Sequence, residues 1–312
     1  MQTIGLLWTR PSQASRRLGL AFDLPAFLWP LTRHGASTIG TLNMNVLKKT
    51  AAATLSLFLM LGGGAASAQS KPLGGGTAPI SPEVHTIRLG MSNAHLLKTA
   101  TPVLIDVGGS KDMPALMEGL KAQGLRPEDI ALVVLTHGHA DHVGLAAAFK
   151  GMGHAKIVLG EGDLGMARAG NHGALAPQNL TARLLDRFAI DPRFEPFEPD
   201  IVVKDELDLS AWGVPGKAVA MPGHTPGSLV VLLDGRRAVV GDIVLGGYLG
   251  GALRPQHAGP HYFQADVPRN EDNIARLLRQ GVDTFYLGHG GPVARESVVQ
   301  GFPAAAASAA SR

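Results

Sequence analysis

Apolar and polar residues alternate over Val84-His85-Thr86-Ile87-Arg88-Leu89, the period-two pattern of a strand with one buried face. Residues 95–97 and 103–106 lie on either side of a turn at 98–102, which predicts a hairpin. Met113, Leu116, Met117 and Leu120 recur at helical spacing, and that run closes at Gly124. Residues 130–135 are apolar without interruption, as expected of a strand buried on both faces. Further strands are predicted at 156–159, 201–203, 218–221, 228–233, 238–240 and 284–287, with Asp234-Gly235 as a hairpin turn between 228–233 and 238–240. Residues 161–187 are helical in parts, interrupted by Gly162, Gly165, Gly170 and Gly173. Ile274, Leu277 and Leu278 line one face of a helix that ends at Gly281. Strands dominate and helices follow the early and late ones, which predicts an α/β chain built as a sheet sandwich flanked by helices.

Composition narrows the chemistry. The 312 residues are 45% hydrophobic and 17% charged, which excludes a disordered or polyelectrolyte chain. No internal repeat of a solenoid is visible. Cysteine is absent, so disulfides, thiolate metal sites and a thiol nucleophile are excluded, and any metal must be held by the 12 histidines and by carboxylates. The net charge of +3 suggests an acidic partner, but residues 1–68 hold six bases against one acid. That leaves 22 bases and 24 acids in residues 69–312, a net charge of −2, which argues against nucleic acid as a partner.

The excess of base sits in what reads as an address. From Met44, Lys48 and Lys49 form a basic start, residues 51–61 an apolar core, and Ala66-Ser67-Ala68 a small-residue cleavage site before Gln69. The uncharged run 51–68 has 18 residues, but its Gly/Ala/Ser second half is too weakly apolar for stable membrane insertion. The expected organisation is an upstream extension at 1–43 with Met44 as initiator, a signal peptide at 44–68 and a linker at 69–78. One catalytic-sized domain follows at 79–301, then a disordered tail at 302–312. The expected location is periplasmic or secreted.

Candidate chemistry gathers just beyond the predicted strands. Thr136-His137-Gly138-His139-Ala140-Asp141-His142 follows the buried strand and offers three imidazoles and a carboxylate on one turn. That donor mixture suits zinc and other first-row divalent ions. His224 in Met221-Pro222-Gly223-His224-Thr225-Pro226-Gly227, Asp242 after Gly241, and His289 in Gly288-His289-Gly290-Gly291 share one local grammar of strand, small residue, donor and sharp turn. Their joint occurrence with HxHxDH points to a metal site. His257 and His261 are read as pocket-wall residues, and His154 and His172 as surface or helix residues.

The order HxHxDH, His, Asp, His resembles the metallo-β-lactamase superfamily of binuclear metallohydrolases, over about residues 83–292. Asn93-Ala94-His95-Leu96-Leu97 and Leu104-Ile105-Asp106-Val107-Gly108 look like its opening strands. The resemblance implies an αββα fold and two divalent ions, by default zinc. It assigns His137, His139 and His224 to the first ion, Asp141, His142 and His289 to the second, and Asp242 to the bridge between them. It also implies that Asp106 supports the metal loop from behind. Two such ions would share a hydroxide and polarise a carbonyl, with Asp141 orienting the hydroxide and carrying a proton to the leaving group.

The expected substrate is a small ester, lactone, thioester or amide. Asp242 counts against the exported β-lactamases of the family, which usually lack a bridging Asp. Only 23 residues follow His289, too few for the helical domain of glyoxalase II. Lactonases of the family often carry a Tyr after the bridging Asp, which makes Tyr248 a candidate substrate contact. A periplasmic β-lactamase and an iron-loaded, oxygen-using enzyme remain alternatives.

Overall fold

The computed structural model describes residues 82–311, except Ala189 and Gly235. These residues belong to the compact unit Leu73–Arg312, so the upstream extension, the signal peptide and the linker all lie outside them. Six strands form a first sheet in chain order: β1 (Val84–Arg88), β2 (Asn93–Leu97), β3 (Val103–Ile105), β4 (Leu132–Val134), β5 (Lys156–Gly160) and β6 (Ile201–Val203). Pairing is antiparallel from β1 to β3 and parallel from β3 to β6. The second sheet holds β7 (Glu206–Asp208), β8 (Gly216–Ala220), β9 (Leu229–Leu233), β10 (Arg237–Gly241), β13 (Thr284–Leu287) and β14 (Val293–Ala294). Here β10 and β13 are parallel and the other neighbours antiparallel. The hairpin β9–β10 is the one its turn signal predicts, although Gly235 itself lies outside the described residues. A separate hairpin pairs β11 (Leu245–Tyr248) with β12 (Leu253–Gly259).

The uninterrupted apolar run at β4 has a simple cause. Leu132 and Val134 face the second sheet, whose Leu229, Val231 and Val239 share their buried layer. Val133 points the other way and packs with Leu104, Ile157, Leu116 and Leu120 of α1 (Met113–Ala122), and Phe149. Between β4 and β6 the chain forms α2 (Ala140–Val143), α3 (Ala146–Met152, carrying Phe149), α4 (Leu164–Ala169) and α5 (Leu180–Phe188). On the far side Val230, Val240 and Phe285 pack against Ile274, Leu277 and Leu278 of α6 (Val267–Arg279). The layers are therefore helix, sheet, sheet, helix, as predicted.

The expected disordered tail is instead structured. After α7 (Arg295–Gly301) the chain forms α8 (Pro303–Ala310), which buries Phe302 and Ala305 in the core of the second sheet and its helices. Alanine has the highest helix propensity, and Pro303 stands in the first turn, where its missing N–H costs nothing.

Strand direction places the site. β8, β10 and β13 run the same way, so their C-terminal ends lie at one edge of the second sheet. Leu229 N donates to Thr136 O at 2.7 Å, which brings the end of β4 against that edge. Asn93 of β2 grips the loop after β13, its Nδ2 donating to Leu287 O (2.9 Å) and Gly290 O (2.8 Å). Asp163, fully buried, accepts from Gly138 N (2.7 Å), Thr225 Oγ1 (2.7 Å) and Gly227 N (2.8 Å). One carboxylate thus ties the loop after β4 to the loop after β8.

His95 is the second buried link. Its Nε2–H donates to Leu287 O (3.0 Å) and its Nδ1 accepts from Thr86 Oγ1 (3.1 Å), so both nitrogens are satisfied in the neutral ring. Burial lowers its pKa to about 4, against a smaller upward pull from the Leu287 carbonyl.

Two outcomes follow. Asp163→Ala should leave buried N–H donors unpaired and lower stability in urea by about 3–5 kcal/mol, with Asp163→Asn losing less. An unchanged urea midpoint would remove the clamp from the account. His95 contributes stability that is complete above its unfolded pKa, near 6.5, and is lost as pH falls through about 4. The full loss is on the order of 3 kcal/mol. Urea midpoints measured from pH 8 to pH 4 should therefore fall less steeply for His95→Gln than for the parent; equal slopes would contradict the assignment.

Candidate metal centre

Asp106, just after β3, adopts φ +60, a left-handed conformation that is costly for a residue with a Cβ. That conformation aims its carboxylate at three donors: Thr136 N (2.7 Å), Thr136 Oγ1 (2.7 Å) and His142 Nδ1 (2.9 Å). The Thr136 hydroxyl has only one proton, given to Asp106, so it accepts from His137 Nδ1 at 3.0 Å. His289 Nδ1 donates to the carbonyl of Met91 at 2.8 Å. In all three rings Nδ1 carries the proton, and Nε2 is left as a lone pair.

Those lone pairs converge. Asp242 Oδ2 lies 3.7 Å from His137 Nε2, 3.4 Å from His142 Nε2, 3.6 Å from His224 Nε2 and 3.2 Å from His289 Nε2. His224 Nε2 is 3.1 Å from His139 Nδ1, and Asp141 Oδ2 is 3.3 Å from His289 Nε2 and 3.7 Å from His142 Nε2. The donor atoms fall into the clusters His137, His139, His224, Asp242 and Asp141, His142, His289. All seven residues singled out in the sequence are thereby brought together at one sheet edge. Gly288 is needed for this closeness, since a Cβ there would fall 2.1 Å from Asp242 Oδ1.

The donor set fits divalent cations. His137 Nε2 and Asp242 Oδ1 are buried without a hydrogen-bond partner among the described residues, a state that costs roughly 1–3 kcal/mol per group. His142 Nε2 and His289 Nε2 face each other at 3.4 Å with their protons on the far nitrogens, so only a cation or an added proton can sit between them. Ionisation follows the same division. Burial, with the neighbouring His142, His224 and His139, holds His137 far below the imidazole range. Burial likewise takes His139 down to about 3 and His224 well down. Burial opposes charge on His142 and His289 too, but Asp242, Asp141 and Asp106 outweigh it at His142, raising it well up. Asp242 and the hydrogen bond to Asp141 lift His289 to about 10. Burial would raise Asp141 and Asp242, yet His142 and His289 keep both carboxyls ionised. One half of the site offers neutral lone pairs; the other demands positive charge.

Several residues depart from the sequence reading. His261 is more than pocket wall: its Nε2 reaches 3.3 Å from Asp242 Oδ2, and it forms a third donor cluster with Asp242 and His289. Its Gly259-Pro260-His261 setting has the same small-residue grammar as the other loops, which is the signal that could have found it. His172 is neither surface nor helix but buried, its ring 5.1 Å from that of His139. Tyr248 does not line the cavity over the site; it is half exposed and stacks with His257 at 6.3 Å. A register shift between Gly246 and Tyr248 breaks strand alternation, and Leu249 reaches the cavity instead. Asp163, which holds two of the ligand loops, carried no sequence signal.

Comparison with known proteins agrees with this geometry. The sequence model of the metallo-beta-lactamase superfamily matches residues 87–289. A Xenopus laevis protein named metallo-beta-lactamase domain-containing protein 1 is 27% identical over 243 residues, 72% of this chain and 87% of the relative. The mammalian proteins of that name match over 48 to 50 residues, so the chain spans less than a fifth of their length. A Bacillus subtilis protein named a probable metallo-hydrolase is 25% identical over 232 residues, 67% of this chain and 84% of the relative. The solved structure of an archaeal superfamily member from Sulfolobus tokodaii matches with a TM-score of 0.52 at 19% identity, covering 72% of this chain and 86% of that one, a likeness of fold. Because the family match runs from β1 to the last candidate ligand, the chain belongs to the metallo-beta-lactamase superfamily.

Proposed function

We propose that this metallo-hydrolase holds two divalent cations, zinc by default, and cleaves a small ester, lactone, thioester or amide. The observation that carries the reading is the pair of lone pairs on His142 and His289, opposed at 3.4 Å beside two ionised carboxylates, which asks for a second cation besides the one suited to His137, His139 and His224. Asp242 supports a shared role, since its Oδ2 faces donors of both clusters. When bound, such ions supply Lewis acidity and bring the pKa of water near 7. The chain's own residues do the rest. Thr136, Asp106 and the Met91 carbonyl fix the tautomers of His137, His142 and His289. Asp141 differs from the other candidate ligands in being open to the cavity, its side chain 46% exposed. Its carboxylate is therefore placed to orient an attacking water and to carry the proton to the departing group.

We also propose that residues 44–68 direct export and are removed. N-terminal sequencing of protein expressed from Met44 should find Gln69 first in the periplasmic fraction; retention of the leader there would overturn this.

The catalytic reading is tested on Asp141. Purified protein should carry two zinc ions per chain, and Asp141→Asn should keep at least one, because His137, His139, His224 and Asp242 are untouched. Loss of orientation and of proton delivery should each cost on the order of 100-fold, mainly in kcat. Esters with good leaving groups should suffer least, since they need little proton assistance. An equal loss across leaving-group pKa would reduce Asp141 to a metal ligand, and one iron per chain with oxygen uptake would replace hydrolysis by oxidation.

A further inference from the structure

We infer that the cavity over the site selects uncharged substrates with an aliphatic group and rejects anionic ones; this rests on the hydrolase reading above and names its substrate class. The cavity has a volume of about 410 Å³, in the range of small-molecule sites. Its floor is polar, with Asp141, Asp242, His139, His261 and His289. Its walls are Leu175, Leu185, Ile190, Leu245, Leu249 and Phe263.

Charge makes the case sharper. Among the described lining residues there is no Lys or Arg, and away from the metal centre the charged side chain on the wall is a carboxylate, Asp191. Asp191 is paired with Arg193 through contacts of 2.9 and 3.1 Å, and Arg193 itself is not among the lining residues. A substrate whose reacting carbonyl sits on the polar floor must run its remaining atoms along apolar wall. A carboxylate there would lose its water against apolar wall and gain no cationic partner among the lining residues. A methylene chain would lose only water, and each added carbon should improve recognition by about threefold until the volume is filled.

The test uses the zinc-loaded enzyme and 4-nitrophenyl esters from acetyl to octanoyl, with ω-carboxylated acyl esters of matched length. The expected result is a rise in kcat/KM of about threefold per methylene up to six or eight carbons. The ω-carboxylated hexanoyl analogue should react at least about 100-fold more slowly than its neutral match. Leu185→Lys should narrow that gap at least tenfold by giving the carboxylate a partner, at unchanged zinc content. A flat chain-length series, or equal turnover of the anionic analogue, would overturn the inference while leaving hydrolysis intact. If no ester, lactone, thioester or amide is cleaved, the hydrolase reading fails and displacement of bound Nile red decides the cavity. Displacement by octanamide but not by its ω-carboxylate upholds the selectivity, and equal displacement refutes it.

Discussion

The structure is organised around one buried oxygen. Asp242 Oδ2 has five imidazole nitrogens within 3.2–3.7 Å, and Asp141 and Asp106 touch two of the same rings. Taking so many donors and three carboxylates out of water is expensive, and the cost cannot be met inside the cluster, because its lone pairs face one another. The directions of ionisation divide the cluster in two. Burial holds His137 far down, while Asp242 and Asp141 draw both His142 and His289 up against burial, with Asp106 adding to the pull on His142. A cation between those two rings would meet the same demand for positive charge.

Such a cluster persists only if the backbone around it is over-determined. The strained φ of Asp106 is held by three hydrogen bonds, Asp163 locks the loops after β4 and β8, and Asn93 and His95 fasten β2 to the end of β13. These anchors are buried polar groups bonded to backbone, to threonine hydroxyls or, for Asp106, to the far nitrogen of His142. Their common effect is on orientation: each fixes a tautomer or a loop without lying among the donor atoms. Stability and chemistry are therefore coupled through the same residues, and weakening an anchor loosens both.

What the sequence disclosed follows from range. HxHxDH, Gly241-Asp242 and Gly288-His289 were legible because donor type, small residue and strand end are neighbours in the chain, and because parallel strand ends must share an edge. His261 and His172 reach the cluster from irregular segments, where no periodicity reports direction, and Asp163 acts entirely through backbone N–H groups and one hydroxyl. Tyr248 rested on the resemblance alone, and nothing in its Gly-rich stretch reports which side of the β11 hairpin it takes. The alanine-rich end was compatible with a coil or a helix, and burial of Phe302 and Ala305 decided between them.

The same division separates chemistry from choice. The donors stand on strand ends of the sandwich, whereas the cavity walls come from residues 172–190, the β11 hairpin and residues 261–263, all between strands of the two large sheets. Wall side chains such as Leu175, Leu185 and Leu249 make none of the hydrogen bonds that fix Asp242 or the rings around it, so their size or charge can change with the donors kept. Two family members with identical donors can thus take different substrates. The informative comparison between them is the wall, where a lysine in place of Leu185 would alter the charge presented to substrate while leaving the donors themselves unchanged.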